Sequence, residues 1–84
     1  MTETQAIQLF KCLADKSRMQ ILKSLMIEDM YVERLAQRLN LTPATISFHL
    51  KKLEDVGAVS STKDQYYMMY SLRKEVFQTN IWNL

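Results

Sequence analysis

The sequence has 84 residues, which suffices for one small domain and lies near the lower limit for a self-sufficient hydrophobic core. A hydrophobic fraction of 48%, with a single glycine and a single proline, excludes a disordered chain and predicts a compact, helix-rich fold. The formal net charge of +2 permits binding to nucleic acid but does not by itself indicate it.

The first third of the chain has the spacing of two helices. Residues 3–14 place apolar side chains at steps of three and four, which predicts a first helix with Leu9 and Phe10 on its apolar face. A second helix is expected to begin at Asp15 or Ser17, because residues 17–20 have the spacing of a capping box. Residues 27–31 then form a short connector with room for one brief strand.

The next segments predict two short helices joined by a tight turn. Apolar residues at steps of three and four cover residues 32–39, and Asn40 with Leu41 forms the break. Such a pair is a helix-turn-helix unit, whose second helix enters the major groove of DNA. No acidic residue occurs between Arg34 and Leu53, so positive charge is concentrated on the unit that needs it.

The most informative stretch runs from Thr42 to Gly57. Thr42 suits an N-cap, Pro43 suits the first helical position, and Gly57 supplies the left-handed residue that ends many helices. The apolar positions between these signals predict one core-facing stripe, which consists of Ile46, Leu50, Leu53 and Val56. These signals together predict a helix over residues 43–55.

The opposite face of this helix lacks the long charged side chains of an ordinary solvated face. Short side chains allow close approach to a major groove, hydroxyls bond to bases or phosphates, and apolar groups contact thymine methyls. An ordinary amphipathic helix with an accidental small-residue face is the alternative that this stretch alone leaves open. The outward residues are Ala44, Thr45, Ser47, Phe48, Lys51 and Lys52.

After Gly57 the hydrophobic period changes from helical to extended. Residues 59–62 and 66–72 are rich in β-branched and aromatic side chains and predict a β-hairpin. Residues 63–65 lack glycine and asparagine, which predicts a longer, mobile tip in place of a two-residue turn. Because a hairpin alternates its faces, half of the aromatic run at 66–70 is expected to pack on the helices, and core and wing packing is favoured over a stacking platform for single strands. Residues 73–84 are predicted to form a final helix or part of one.

These elements predict a mainly α fold with a small β-hairpin wing, that is, an α+β winged helix-turn-helix in a single domain over residues 1–84. The chain also resembles the ArsR/SmtB family of bacterial and archaeal transcriptional repressors, from about Phe10 to Leu72. The resemblance rests on three motifs in the right order. They are Leu13-Ala14-Asp15-Lys16-Ser17-Arg18 followed by Ile21-Leu22, then Ile46-Ser47-Phe48-His49-Leu50 followed by Leu53 and Gly57-Ala58-Val59, then Tyr70-Ser71-Leu72.

This resemblance implies a homodimeric repressor that binds a palindromic operator in double-stranded DNA. The helix at 43–55 would lie in the major groove, and the wing at 59–72 on the backbone or minor groove. Thr45, Ser47 and His49 match the recognition-helix pattern of the family. Phe48 departs from it, because that position is usually polar or basic, and this departure leaves the operator sequence open. The resemblance also implies capping and packing for Asp15 and Arg18, and dimers formed through the first and last helices.

Two sets of candidate site residues follow. The predicted DNA-binding residues are Thr42, Pro43, Ala44, Thr45, Ser47, Phe48, His49, Lys51 and Lys52, with Lys63 and Gln65 from the wing. The predicted dimer interface consists of Leu9, Phe10, Val76, Phe77, Ile81 and Trp82, since an 84-residue core cannot absorb every apolar side chain. The alternative function is a winged helix used for protein association without DNA. The basic, acid-free segment favours DNA.

No catalytic, metal or cofactor site is predicted, and the protein is not expected to be an enzyme. Ser47 and His49 lie two positions apart on a helix and do not face each other, so they cannot share a proton. Tyr31, Glu33 and Ala36 stand where many relatives carry a metal-sensing cysteine pattern, so that thiolate site is expected to be absent.

The expected compartment is the cytoplasm. A single cysteine, Cys12, excludes an internal disulfide and is predicted to be a packed or interfacial thiol. No apolar run approaches the roughly 20 residues of a membrane span, and residues 1–4 lack the order of a signal peptide. The apolar end at residues 80–84 predicts an excised DNA-binding domain, with effector-sensing material beyond Leu84. The operator, the regulated genes and the inducing effector are not predicted.

Overall fold

Four α-helices form most of the fold in the computed structural model, which describes residues 1–80. Each corresponds to a helix that the hydrophobic spacing predicts, and they are α1 (Glu3–Leu13), α2 (Lys16–Ile27), α3 (Val32–Leu39) and α4 (Pro43–Asp55). Three strands complete the fold, namely β1 (Met30–Tyr31), β2 (Val59–Asp64) and β3 (Tyr67–Leu72), followed by a π-helical turn at Val76–Asn80. The order is that of a winged helix-turn-helix, with α3 and α4 as the unit and β2–β3 as the wing.

Side-chain caps fix where α2 and α4 begin. Asp15 Oδ2 accepts a hydrogen bond from the backbone N–H of Arg18 at 2.9 Å, and Thr42 Oγ1 accepts one from Thr45 N–H at 3.2 Å. Both caps satisfy a donor that the first turn of a helix leaves without a partner. The capping box expected at residues 17–20 is therefore wrong, because α2 already begins at Lys16 with Asp15 as its cap.

Left-handed residues end α3 and follow α4. Asn40 has φ of 55° at the end of α3 and produces the turn of the helix-turn-helix. Gly57 has φ of 79°, as the sequence predicts for the residue that reverses the chain into β2. A Cβ at Gly57 would lie 3.8 Å from Nη1 of Arg73, an ordinary contact. The backbone conformation is therefore what favours glycine there.

The sheet is antiparallel in the order β1-β3-β2. Pairing between β2 and β3 continues to the pair Asp64 and Tyr67, which leaves a two-residue turn at Gln65 and Tyr66. The longer tip expected from residues 63–65 is therefore wrong. Strand pairing holds Gln65 at φ of 57°, a left-handed conformation that its side chain does not favour.

The core lies between the four helices and the base of the wing. Its fully buried larger side chains come from all four helices, β1 and β2, and they are Leu9, Ile21, Leu25, Met30, Leu35, Ile46, Leu50, Leu53 and Val59. Two members of the predicted dimer interface belong to this core, since Leu9 is fully buried and Val76 is buried as well. Their assignment to a partner surface is wrong, because both side chains pack within the core of the protomer.

Two other predicted interface residues remain accessible. Phe10 is 46% exposed, and Phe77 is partly buried against the core. Ile81 and Trp82 lie outside the described residues. The part of the chain that the structure describes contains no helix long and apolar enough to cross a membrane.

Candidate nucleic-acid interface

Helix α4 is fixed by one buried stripe and leaves its other face open. Ile46, Leu50 and Leu53 are completely buried, and they recur at the three- and four-residue steps of a core-facing side. The candidate contact residues on the outward side are exposed in the structure, and they are Thr42, Pro43, Ala44, Ser47, Phe48, Lys51 and Lys52. The spacing argument therefore predicts correctly which side of α4 faces away from the core.

The hydroxyl groups at the start of α4 have different roles. Thr42 Oγ1 accepts the N-cap hydrogen bond and also donates to Thr45 Oγ1 at 2.9 Å, so Thr42 serves to cap the helix. Thr45 is half-buried. Ser47 is exposed, and its side chain makes no hydrogen bond within residues 1–80. Ser47 therefore offers a donor and an acceptor to an external partner.

Phe48 is held at the surface of α4 and not folded onto the core. Its side chain is 57% exposed, and its ring meets the ring of His49 edge-on with centroids 5.4 Å apart. Lys52 Nζ lies 5.4 Å from the centroid of the same ring, within cation–π range. The ring and the ammonium group therefore form one apolar and positive surface in the middle of the outward face.

His49 differs from the other candidate contacts on α4, because its side chain is only 13% exposed. Its Nδ1 is buried, lies 4.0 Å from Asp15 Oδ2 and makes no hydrogen bond in the part of the chain that the structure describes. The partial burial expected from the helical spacing is present. The assignment to DNA contact is corrected, because this ring packs between α4 and the start of α2.

The Asp15 carboxylate lies close to three groups, which are the backbone N–H of Arg18, the guanidinium group of Arg18 and the His49 ring. Besides its cap to the Arg18 N–H, Asp15 Oδ2 lies 3.5 Å from Arg18 Nε. The backbone hydrogen bond from Arg18 is the main reason that the pKa of Asp15 lies below its ordinary value, with the Arg18 and His49 charges adding to it against the opposing effect of burial. Arg18 also donates from Nη1 to Sγ of Cys12 at 3.8 Å. Cys12 is buried, as predicted for a packed thiol.

The basic residues of the helix-turn-helix are less free than their sequence neighbours suggest. Lys51 Nζ lies 3.2 Å from Asp55 Oδ1, and an ion pair of 3.3 Å joins Arg34 to Glu28. Acidic residues just outside the acid-free segment therefore reach into it. Lys52 has no ion-pair partner among residues 1–80 and is the cation on α4 best placed to meet a phosphate.

The wing exposes more aromatic surface than the sequence predicts. Lys63 and Gln65 are exposed, as the candidate assignment requires. Tyr66 and Tyr67 are exposed as well, at 91% and 56%, and Met69 and Tyr70 are partly buried, so half-packing by strict alternation of faces is wrong for this run. Tyr70 is partly buried, and burial raises the pKa of its phenol.

One contact at the wing lies beyond what sequence reasoning found. Tyr31 Oη donates a hydrogen bond of 2.6 Å to Asp64 Oδ2, across a separation of 33 positions. No local pattern signals a pair so far apart in the chain. Tyr31, Glu33 and Ala36 supply no thiol, and among the described residues no three His, Cys, Asp or Glu side chains are grouped to hold a metal ion.

The architecture and the outward face of α4 define a protein of the winged helix-turn-helix class. A sequence model described as "Bacterial regulatory protein, arsR family" matches residues 15–61, which includes α2, α3, α4 and the start of the wing. The chain belongs to the ArsR family of DNA-binding transcriptional regulators. Proteins of this family regulate transcription and are not enzymes, so this chain is a non-enzymatic regulator.

Curated relatives include both a transcriptional repressor and a transcriptional activator. The transcriptional repressor SdpR of Bacillus subtilis is 32% identical over 77 residues, which cover 90% of this chain and 86% of SdpR. The transcriptional activator HlyU of Vibrio cholerae is 34% identical over 68 residues, covering 81% of this chain and 63% of HlyU. Membership of the family therefore establishes that the chain is a DNA-binding transcriptional regulator. It does not determine whether the chain represses or activates transcription.

Solved structures superpose on nearly the whole chain. HlyU from Vibrio cholerae has a TM-score of 0.84 at 30% identity and covers 96% of this chain and 90% of its own. A fragment of Mb0332 from Mycobacterium bovis, described as a homodimeric winged helix-turn-helix DNA-binding domain, has a TM-score of 0.85 at 26% identity. That match covers 93% of this chain and 72% of the Mb0332 fragment. These structures confirm the winged helix-turn-helix fold.

Proposed function

We propose that this chain is a sequence-specific repressor that binds a palindromic operator as a homodimer. In this proposal α4 enters the major groove, and the wing contacts the backbone or minor groove. The observation that carries it is the outward face of α4, where Ala44, Ser47, Phe48 and Lys52 are exposed while Ile46, Leu50 and Leu53 are completely buried. Short side chains, with a hydroxyl and an ammonium group that have no hydrogen-bond or ion-pair partner among residues 1–80, match the groups that a major groove displays.

The proposed contact residues differ in the part of the DNA that each one binds. The Ser47 hydroxyl is assigned to a base edge, the Phe48 ring to a thymine methyl, and Lys52 to a phosphate. Thr45 is half-buried in the first turn of α4 and is assigned to the edge of the same contact region. Pro43 and Ala44 permit close approach of the backbone. Lys63 and Gln65, both exposed on the wing, are assigned to the flanking backbone.

A protein-association function is the second candidate, and the exposed Phe48 ring favours it. An isolated ring of this kind can anchor a partner protein. The ring, however, carries the Lys52 ammonium group at 5.4 Å and stands beside the unpaired hydroxyl of Ser47. Charged and small polar neighbours of this kind are typical of nucleic-acid contacts, whereas the cores of protein interfaces are depleted in lysine.

The proposed homodimer uses accessible apolar surface outside α4, on α1 and along α2. Phe10 and Ile7 are about half exposed on α1. A neighbouring groove between α2 and the chain after β3 is lined by apolar side chains, which include Leu13, Met19, Met26, Leu72 and Phe77. Contiguous apolar surface of this type marks interfaces in small proteins. The similarity to the Mb0332 fragment, which is described as homodimeric, also supports the proposed homodimer.

Repression follows from the simplest use of such a dimer. Occupying an operator that overlaps a promoter excludes polymerase and needs only the DNA-binding surface, and the similarity to SdpR agrees with it. A protein that binds chromosomal operators acts in the cytoplasm, so the proposal includes that location. A reporter with the operator placed over its promoter should lose expression when the protein is supplied.

Selection of bound sequences from a random duplex pool tests the DNA proposal directly. An inverted repeat should be enriched, with half-site centres about one DNA turn, roughly 34 Å, or a multiple of it apart. Ser47→Ala should weaken enrichment at a defined base pair of each half-site. A pool that shows no enrichment, while the protein remains folded, would contradict DNA binding and leave protein association as the function.

A further inference from the structure

The tip of the wing, residues 64–67, combines high exposure with a fixed backbone. Tyr66 is 91% exposed, yet it stands in a two-residue turn between the paired residues Asp64 and Tyr67. Gln65 beside it holds a left-handed conformation with φ of 57°. A large aromatic side chain is thus presented outward on a short turn with few alternative conformations.

Tyr31 holds this tip from outside the hairpin. Its Oη donates to Asp64 Oδ2 at 2.6 Å, and its ring centroid lies 5.5 Å from that of Tyr67 at an interplanar angle of 59°. The two residues that it contacts are the last pair of the wing before the turn. One side chain therefore meets both strands of the hairpin at its end.

Tyr31 is in turn built into the helix-turn-helix. It is the N-cap residue of α3, and its backbone pairs with Met69 in the middle of β3. The start of α3, the sheet and the end of the wing are therefore tied together at one residue. Motion of the wing tip relative to α3 would have to break the Tyr31–Asp64 hydrogen bond.

The same hydrogen bond engages a carboxylate that stands close to the proposed DNA surface. Asp64 has no ion-pair partner in the part of the chain that the structure describes, and an unmatched carboxylate facing phosphates would be repelled. The phenol of Tyr31 donates to it instead. In agreement, this hydrogen bond raises the pKa of the Tyr31 phenol above its ordinary value.

We propose that Tyr31 is a positioning residue for DNA binding, which braces the wing tip against α3 so that Tyr66 enters the minor groove. This inference rests on the proposed DNA-binding function. Aromatic and apolar side chains are recurrent minor-groove contacts, and a braced tip loses less conformational entropy when it binds. Tyr31 does not touch DNA in this arrangement and acts through Asp64, Tyr67 and the turn between them.

Two chemical footprints on the selected operator separate the wing from α4. Dimethyl sulfate reports guanine N7 in the major groove, under α4, and hydroxyl radicals report deoxyribose protection at the flanking minor groove, under the wing. At saturating protein, Tyr31→Phe should weaken the flanking hydroxyl-radical protection and leave the central dimethyl sulfate protection intact. Affinity should fall about three- to tenfold, the effect of losing one typical hydrogen bond at an exposed site.

Matched variants separate the brace from the contact. Tyr70→Phe removes a phenol hydroxyl lower in the wing that makes no hydrogen bond within residues 1–80 and lies outside the brace, so both footprints should stay unchanged. Tyr66→Ala should weaken the flanking protection at least as much as Tyr31→Phe. In the DNA-free protein, amide hydrogen exchange at residues 64–67 should accelerate in Tyr31→Phe and not in Tyr66→Ala.

The outcomes distinguish this inference from the proposed function. Wild-type protein that protects neither the centre nor the flanks of any duplex would overturn both. A wild type with both footprints, and a Tyr31→Phe variant with the same flanking protection, would overturn the brace alone. Equal loss of central and flanking protection in Tyr31→Phe would also overturn it, since that result indicates general destabilisation. Intact flanks in Tyr66→Ala would overturn the contact assigned to Tyr66.

Discussion

His49 Nδ1 on α4 lies 4.0 Å from Oδ2 of Asp15, the oxygen that caps α2. One carboxylate therefore caps the start of α2 and lies against the inner edge of α4. The completely buried side chains of Ile46 and Leu50 fix the rotation of α4 about its axis, and the His49 ring packs beside them against the start of α2. The residues that face DNA in the proposed complex depend on that rotation.

The first prediction contrasts His49 with its neighbour Ser47. His49→Ala should lower the free energy of unfolding by about 1 kcal/mol, because it empties a largely buried position, and should leave the selected operator sequence unchanged. Ser47→Ala should cost about 1–3 kcal/mol of specific binding with little effect on stability. Denaturant unfolding and operator titration of both variants test this contrast. A His49→Ala protein of normal stability that prefers a different operator would contradict it.

The second prediction compares the adjacent lysines of α4. Lys52→Ala should weaken binding to all duplexes alike and make the dependence of log affinity on log salt shallower by about one unit. Lys51→Ala should change the slope less, because Lys51 already lies 3.2 Å from Asp55 Oδ1. Titrations at several salt concentrations measure both slopes. Equal changes for the two variants would show that the Lys51–Asp55 ion pair does not persist on DNA.

The third prediction concerns thymine recognition by Phe48. Replacing thymine by uracil in the operator removes only methyl groups, and affinity should fall by about 0.8 kcal/mol for each methyl group that the ring covers. The Phe48→Ala variant supplies the matched control, since it should bind the thymine and uracil duplexes equally. Unchanged wild-type affinity across a complete uracil series would exclude this contact.

The helical part of the fold could be predicted because its signals are local. Thr42, Pro43 and Gly57 mark the limits of α4, and the structure has that helix from Pro43 to Asp55 with Thr42 as its cap. The wing turn could not be predicted in the same way. Nothing near Gln65 favours a left-handed backbone, and the conformation is imposed by the pairing of β2 with β3 up to Asp64 and Tyr67.

The candidate site was predictable as a surface and not as a set of contacts. Spacing alone identifies the outward side of α4, which carries Ser47 and Phe48. It does not reveal that Asp55 reaches Lys51, or that Leu9 belongs to the protomer's core while the adjacent Phe10 stays accessible. Such distinctions depend on which elements pack together, so they required the three-dimensional structure.

The fourth prediction tests the proposed dimer. The chain of 9.9 kDa should sediment as a dimer at micromolar concentration, and a Phe10→Glu, Phe77→Glu double variant should sediment as a monomer, since two buried charges would face the partner. Phe48→Glu is the matched control, because Phe48 is exposed to a similar extent as Phe10 and lies on the proposed DNA-binding face of α4. It should remain dimeric and lose DNA binding. A folded wild-type monomer, or a dimeric double variant, would exclude this interface.

The fifth prediction concerns the pKa of the Asp15 carboxyl group, which lies below its ordinary value of 3.8. The main cause of this lowering is the hydrogen bond that the carboxylate accepts from the Arg18 N–H. A carboxyl group with a lower pKa in the folded state stabilises the protein above its unfolded pKa, and the contribution is lost as pH falls through the folded value. Asp15→Asn keeps a capping side chain without a charge. It should be less stable than the wild type at pH 7, and the difference should shrink below about pH 4.

Denaturant unfolding from pH 7 to pH 3 measures this difference, and Asp15→Ser, another uncharged cap, should behave in the same way. A gap between wild type and Asp15→Asn that stays constant over this range would show that the ionised carboxylate contributes nothing beyond its role as a cap.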